Sequence, residues 1–127
     1  MEKEDTMDFE LSEEMRMLAD MAYKFAVKEI EPIAAEADEQ EHYTPEVRKK
    51  AGENGLIGSW IPEAYGGAGV GFLGNTIITE QLSRICMGIG LNVVAATFGC
   101  ENLLYYGTEE QKKTYMPPVC AGDTVCA

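Results

Sequence analysis

Gly69-Val70-Gly71-Phe72-Leu73-Gly74 matches the G-x-G-x-x-G spacing that brings backbone N–H groups against a dinucleotide's pyrophosphate. That chemistry needs a strand before the glycines and an acid about 20 residues beyond them for the ribose. Pro62 and a loop separate these glycines from the only strand-like run, and residues 92–97 hold no acid. The spacing is therefore read as coincidence. Glu101 is the only ionised side chain between Arg84 and Glu109, a setting in which a proton-transferring base is imaginable. The sequence supplies it with neither partner nor pocket, and a carboxylate at the wetter end of a helix is the simpler reading. His42 is the only histidine, so no Ser/His/Asp set can be assembled. Cys86, Cys100, Cys120 and Cys126 lie 14, 20 and 6 apart, without a C-x-x-C pair. No metal site and no thioredoxin-type dithiol fits that inventory, and reduced, mostly buried thiols are expected. Trp60 and Tyr65 flank a glycine-rich turn and read as its anchors.

The stronger signal is apolar. Leu91, Val94, Ala95 and Phe98 recur at helical spacing along one face, and Val93, Ala96, Thr97 and Cys100 form a second face almost as apolar. A helix apolar all round is buried on both sides. One side can face a small bundle; the other needs a further domain, a partner chain or an apolar ligand.

The elements that position this wall are helical. Ser12 can cap a helix whose apolar positions run from Leu11 to Ala37, with Pro32 kinking or splitting it. Thr44-Pro45-Glu46 announces a second helix that stops near Gly55. Residues 63–69 form a loop, and further helices are predicted over about 72–84 and 91–106, the latter stopped by Gly107. Thr108-Glu109-Glu110-Gln111 has capping-box spacing and starts a last helix that should end near Pro117-Pro118. The expectation is an all-α bundle of five or six helices over residues 8–127, preceded by a charged tail at 1–7.

Composition bounds the partners. The 127 residues carry 10 Lys+Arg against 22 Asp+Glu, a net charge of −12, and 14 of the acids precede residue 42. Such a balance argues against nucleic acid and against anionic lipid surfaces. With 46% apolar residues the chain has the means to build a core. The longest uncharged run, Ile85–Cys100, is 16 residues and falls short of the roughly 20 needed to span a bilayer. The N-terminus shows no secretory pattern, and a cytoplasmic location is expected.

Asp8-Phe9-Glu10-Leu11-Ser12-Glu13-Glu14, Glu29-Ile30-Glu31-Pro32, Gly55-Leu56-Ile57-Gly58, Pro62-Glu63-Ala64-Tyr65-Gly66-Gly67-Ala68-Gly69 and Gly107-Thr108-Glu109-Glu110-Gln111-Lys112-Lys113-Thr114-Tyr115 follow one another in order. Together they closely resemble the N-terminal helical domain of acyl-CoA dehydrogenases, over about residues 7–127. The resemblance implies FAD-dependent enzymes of three parts, a helical, a β and a second helical domain. In these a glutamate takes the α-proton of an acyl-CoA thioester and the flavin takes the β-hydride, giving a 2-enoyl-CoA. It also implies electron transfer to an electron-transfer flavoprotein and a homo-oligomeric enzyme. The family's catalytic glutamate and its first strong flavin contacts are expected outside this chain, which alone should be inactive and flavin-free. Under the resemblance Leu91, Val94, Ala95 and Phe98 would line the acyl pocket. A stand-alone helical module that binds a partner or an apolar ligand through the same face is the alternative.

Overall fold

The computed structural model of the protein describes residues 9–42 and 45–126. The charged tail at 1–7 and the predicted N-cap Thr44 lie outside them. Helix α1 (Glu13–Phe25) starts as its sequence dictates: the Ser12 hydroxyl accepts from the Met15 N–H, and Glu13 and Glu14 face the positive end of the helix dipole. Pro32 neither splits the rod nor stops it. A π-turn, Ala26–Ile30, precedes α2 (Glu31–Gln40), and Glu31 N–H reaches back five residues to the Ala26 carbonyl. The widened turn accommodates a ring that has no N–H to give and would crowd the preceding carbonyls.

Helix α3 (Pro45–Glu53) closes at Gly55, where φ is 70°. Leu56 N–H donates to Ala51 O and Gly55 N–H to Gly52 O, both at 2.9 Å, the pair of hydrogen bonds that satisfies the last carbonyls of a helix. Residues 56–61, strand-like in sequence, form no strand. They run as tight turns through the interior with Leu56, Ile57, Ser59 and Ile61 buried.

Helices α4 (Gly71–Ile85), α5 (Met87–Ala95), α6 (Cys100–Tyr106) and α7 (Glu109–Cys120) complete the bundle. Among the described residues there is no strand. With the α1–α2 rod and the α5–α6 pair each taken as one, the α-helices among the described residues number five, within the expected range.

Two expectations are corrected. The single helix over 91–106 begins at Met87 and is interrupted at residues 96–99. There the bonds tighten to three-residue turns, Thr97 N–H to Val94 O, Phe98 N–H to Ala95 O and Cys100 N–H to Thr97 O. The interruption lets the chain end pair with it: Cys126 N–H donates to Ala96 O at 2.8 Å, and Gly99 N–H to Cys126 O at 2.6 Å. The last helix does not end at its prolines. Both lie inside α7, whose buried Met116, Val119 and Cys120 hold that turn in place. The prolines lack donors, but their carbonyls stay in use, Pro117 O accepting from Ala121 N–H and Pro118 O from Asp123 N–H, each at 2.9 Å.

Two clusters form the core. Ile30, Leu56, Ile57, Ile78, Leu82 and Val93 centre the larger one; Ile61, Cys100, Met116, Val119 and Cys120 form the smaller. Burying each large aliphatic contributes about 1.5–3 kcal/mol. The glycine loop at 63–69 is tied to α7 by Tyr65, whose hydroxyl donates to Glu109 at 2.9 Å to Oε2. The hydroxyl of Tyr65, then the ammonium of Lys112, hold the Glu109 carboxyl below its usual range, and the same bond pushes the Tyr65 phenol up. The depressed carboxyl contributes stability above the ordinary carboxylate range, and this is lost as pH falls through its lowered value. The raised phenol contributes up to about pH 10 and loses its contribution above. Tyr65→Phe should therefore lower the Tm near neutral pH slightly and flatten both its alkaline and its acid fall, measured by thermal melts across pH.

Candidate functional site

The interrupted α5–α6 segment presents two unlike sides. Val93, Ala96 and Cys100 point into the core, with Val93 and Cys100 fully buried, whereas Thr97, expected on that face and buried too, borders the groove described next. On the other side Leu91 is 49% and Phe98 65% exposed, while Val94 is buried and Ala95 half-buried. These residues border a groove of about 340 Å³ between α4, α5 and the Trp60 turn. Of this segment Leu91, Val94, Thr97 and Phe98 line it, and Ala95 does not.

Opposite them stand residues that periodicity along one helix could not reveal. Trp60 and Phe72 stack with ring centroids 5.2 Å apart and planes 14° from parallel. The indole N–H of Trp60 reaches the Thr97 hydroxyl at 3.4 Å, and that hydroxyl donates to Val94 O at 3.1 Å. Thus the aromatic wall is fixed to the turn that carries Phe98. Asn75 and Thr79 complete the α4 side, with Asn75 Oδ1 accepting from the buried Ser59 at 3.0 Å. Trp60 holds its turn, as its place beside the glycine-rich loop suggests; its second role, facing the groove, depends on a partner 37 residues away.

Glu101 also borders the groove, exposed at its rim. It is the one carboxylate there, and no Lys, Arg or His accompanies it. An apolar, aromatic-walled groove with hydroxyl and amide groups on one side suits an uncharged alkyl or ring group, which it orients by shape. Nothing in it suits a phosphate.

The glycine motif serves packing. A Cβ at Gly74 would stand 2.5 Å from Val70 Cγ2, so its lack of a side chain lets α4 close on its own N-terminal turn. His42 lies at a separate cleft with Asp38, Glu41 and Cys86. Among the described residues no group of three or more His, Cys, Asp or Glu is placed to hold a metal ion. The four cysteines are unpaired, with Cys100 and Cys120 buried. The stretch Met87–Tyr106 is long and apolar enough by composition to cross a bilayer, but its middle is the turn bonded to Cys126.

A family model described as acyl-CoA dehydrogenase, N-terminal domain, matches residues 12–123. The short-chain specific acyl-CoA dehydrogenase of Clostridium acetobutylicum is 40% identical over 122 residues, 95% of this chain and 32% of that protein. A chain in the structure of the electron transferring flavoprotein of Acidaminococcus fermentans superposes with a TM-score of 0.88 at 36% identity, covering 94% of this chain and 32% of that one. The acyl-CoA dehydrogenase from Bacillus anthracis, solved with FAD, gives 0.83 at 32% identity, covering 92% of this chain and 21% of that one. The chain spans about a third of the length of the curated relatives it matches. The matched span takes in the described helices, and the chain belongs to the acyl-CoA dehydrogenase family, matching its N-terminal domain.

Proposed function

We propose that this chain is the N-terminal helical domain of an FAD-dependent acyl-CoA dehydrogenase that converts an acyl-CoA thioester to the 2-enoyl-CoA. One observation carries its part in that reaction: a groove walled by Leu91, Val94, Phe98, Trp60 and Phe72 without a basic side chain. Such a wall takes the alkyl or cyclic end of the acyl group and keeps water from the reacting carbons. Ala95, half-buried on the same helix, backs the wall rather than touching the groove. The described residues do not fit FAD by themselves. The glycines at 69–74 serve turns and packing, and no cation faces the groove to meet a pyrophosphate. FAD and the catalytic base are therefore assigned to other parts of the complete protein, and this chain's role is to bind and orient.

The relative solved with FAD supports the cofactor assignment, and the likeness to a chain of an electron transferring flavoprotein structure supports that class of protein as electron acceptor. A homo-oligomer and a cytoplasmic location complete the proposal. The exposed Leu91 and Phe98 support further protein covering this face in the complete enzyme.

Trp60 is the only tryptophan and lines the groove, so its emission reports occupancy. Titration with acyl-CoA thioesters should change that emission, while free CoA should not, and Leu91→Asp should suppress the change. An identical response to CoA and to acyl-CoA would refute the groove as an acyl site.

A further inference from the structure

Three of the four cysteines gather at one place, although 20 and 6 residues separate them in sequence. Cys100, Cys120 and Cys126 belong to the smaller core cluster, whereas Cys86 packs against the larger one. Within the trio, Cys126 is the neighbour of Cys100. Residue 126 is bonded through its backbone on both sides of Phe98, to Ala96 O and to Gly99 N–H, at 2.8 and 2.6 Å. Its sulfur lies 2.8 Å from the point a Gly99 Cβ would occupy, directly before Cys100. The Cys126 thiol is close enough to act electrostatically on that of Cys100.

Their accessibilities differ. Cys100 is fully buried, and burial first, then the neighbouring Cys126, pushes its thiol up to about 12. Cys120 is buried as well, its thiol pushed up to about 11 by desolvation. Cys126 is half-buried and lines an apolar groove of about 540 Å³ with Leu103, Tyr115 and Val125. A small reagent reaches the outer thiol first, and the inner thiol waits beside it.

We propose that Cys100 and Cys126 are a redox-responsive dithiol, closed to a disulfide by small-molecule disulfides, that staples the start of α6 to the segment after α7. In the first step the Cys126 sulfur attacks a disulfide RS–SR, forming the mixed disulfide and releasing RSH, which takes the thiol proton. In the second the Cys100 sulfur attacks the Cys126 sulfur, the protein disulfide forms and a second RSH leaves with the other proton. The protein gives up two electrons and RS–SR is reduced to two RSH. The bond pins the turn at residues 96–99, which is otherwise held to Cys126 by backbone hydrogen bonds alone. The proposal is independent of the acyl-groove reading.

The 127-residue chain is treated with 2-hydroxyethyl disulfide, free thiols are alkylated, and cross-linked peptides are mapped by mass spectrometry without reduction. The native chain should yield the Cys100–Cys126 link at more than about ten times any link to Cys86. In urea, loop closure favours the nearest thiols, so Cys120–Cys126 should dominate instead. Cys120→Ser should keep the native link, and Cys126→Ser should leave Cys100 as the free thiol. The cross-linked chain should melt higher by on the order of 10 °C, as expected for closing a loop of this length. The proposal is overturned if Cys126 stops at the mixed disulfide with Cys100 still free, or if native and urea-treated chains give the same pairs.

Discussion

Replacing Gly67 with alanine should lower stability by about 4 kcal/mol or more, at the far end of what single substitutions do. A Cβ at this position would stand 2.0 Å from Ile61 O, 2.5 Å from Ile61 C and 2.6 Å from Ile61 Cβ. No rotamer change relieves an overlap with backbone. Ile61 is fully buried, and its carbonyl accepts from Gly69 N–H at 3.0 Å, so the loop cannot retreat without giving up that bond. Two other glycines give the contrast. Gly88 has open space around its missing side chain and lies inside α5, so Gly88→Ala should gain about 1 kcal/mol from helix propensity alone. Gly71 also has open space, but its φ of 72° makes alanine strained, by about 1–2 kcal/mol. Urea melts of the three variants should rank Gly88→Ala above the parent, Gly71→Ala below it and Gly67→Ala last. Gly67→Ala within 1 kcal/mol of the parent would remove the loop's close approach as a determinant of the fold.

The same loop shows what could be read from the chain before its structure. Local signals held. Ser12 and Thr108 cap the helices that their spacing announces, and Gln111 completes the capping box with Thr108. Such signals survive because donor and acceptor are three residues apart and need nothing from the rest of the fold. The errors have a different origin. The turn at residues 96–99 looks helical because every residue near it is apolar, and what opens it is the backbone of Cys126, nearly thirty positions away. Pro117 and Pro118 look like a stop, yet the burial of Met116, Val119 and Cys120 outweighs two missing donors. The groove divides in the same way. Its helical wall was visible as a periodicity, and Leu91, Val94 and Phe98 do line it. Ala95 shares the periodicity but misses the groove, lying at the margin of the apolar face. Trp60, Phe72, Asn75 and Thr79 belong to other elements, and no spacing rule links them to α5.

With the groove as the acyl site proposed above, Phe98→Ala should move the acyl preference of the complete protein toward longer or bulkier groups and leave the stability of this helical domain by itself nearly unchanged. Two readings of this ring compete. If it were packed in the bundle, its truncation would cost about 3–5 kcal/mol. Its exposure of 65% removes most of that burial, so the cost in stability should stay below about 1 kcal/mol. The ring instead projects from the interrupted turn at the groove edge, beside Leu91 and above Val94 in sequence order. Removing it lengthens the space available to an acyl chain. Each methylene newly buried contributes about 0.8 kcal/mol, which is roughly a four-fold gain in kcat/KM per carbon accommodated. Val94→Ala is the informative companion. Val94 is buried at 7% exposure, so its truncation should alter both the melt and the preference, where Phe98→Ala alters the preference alone. Measuring kcat/KM of the complete protein over a series of acyl-CoA chain lengths beside thermal melts of this chain separates the two effects. A Phe98→Ala protein that keeps the parent's chain-length profile would take this ring out of the acyl pocket, whatever its melt.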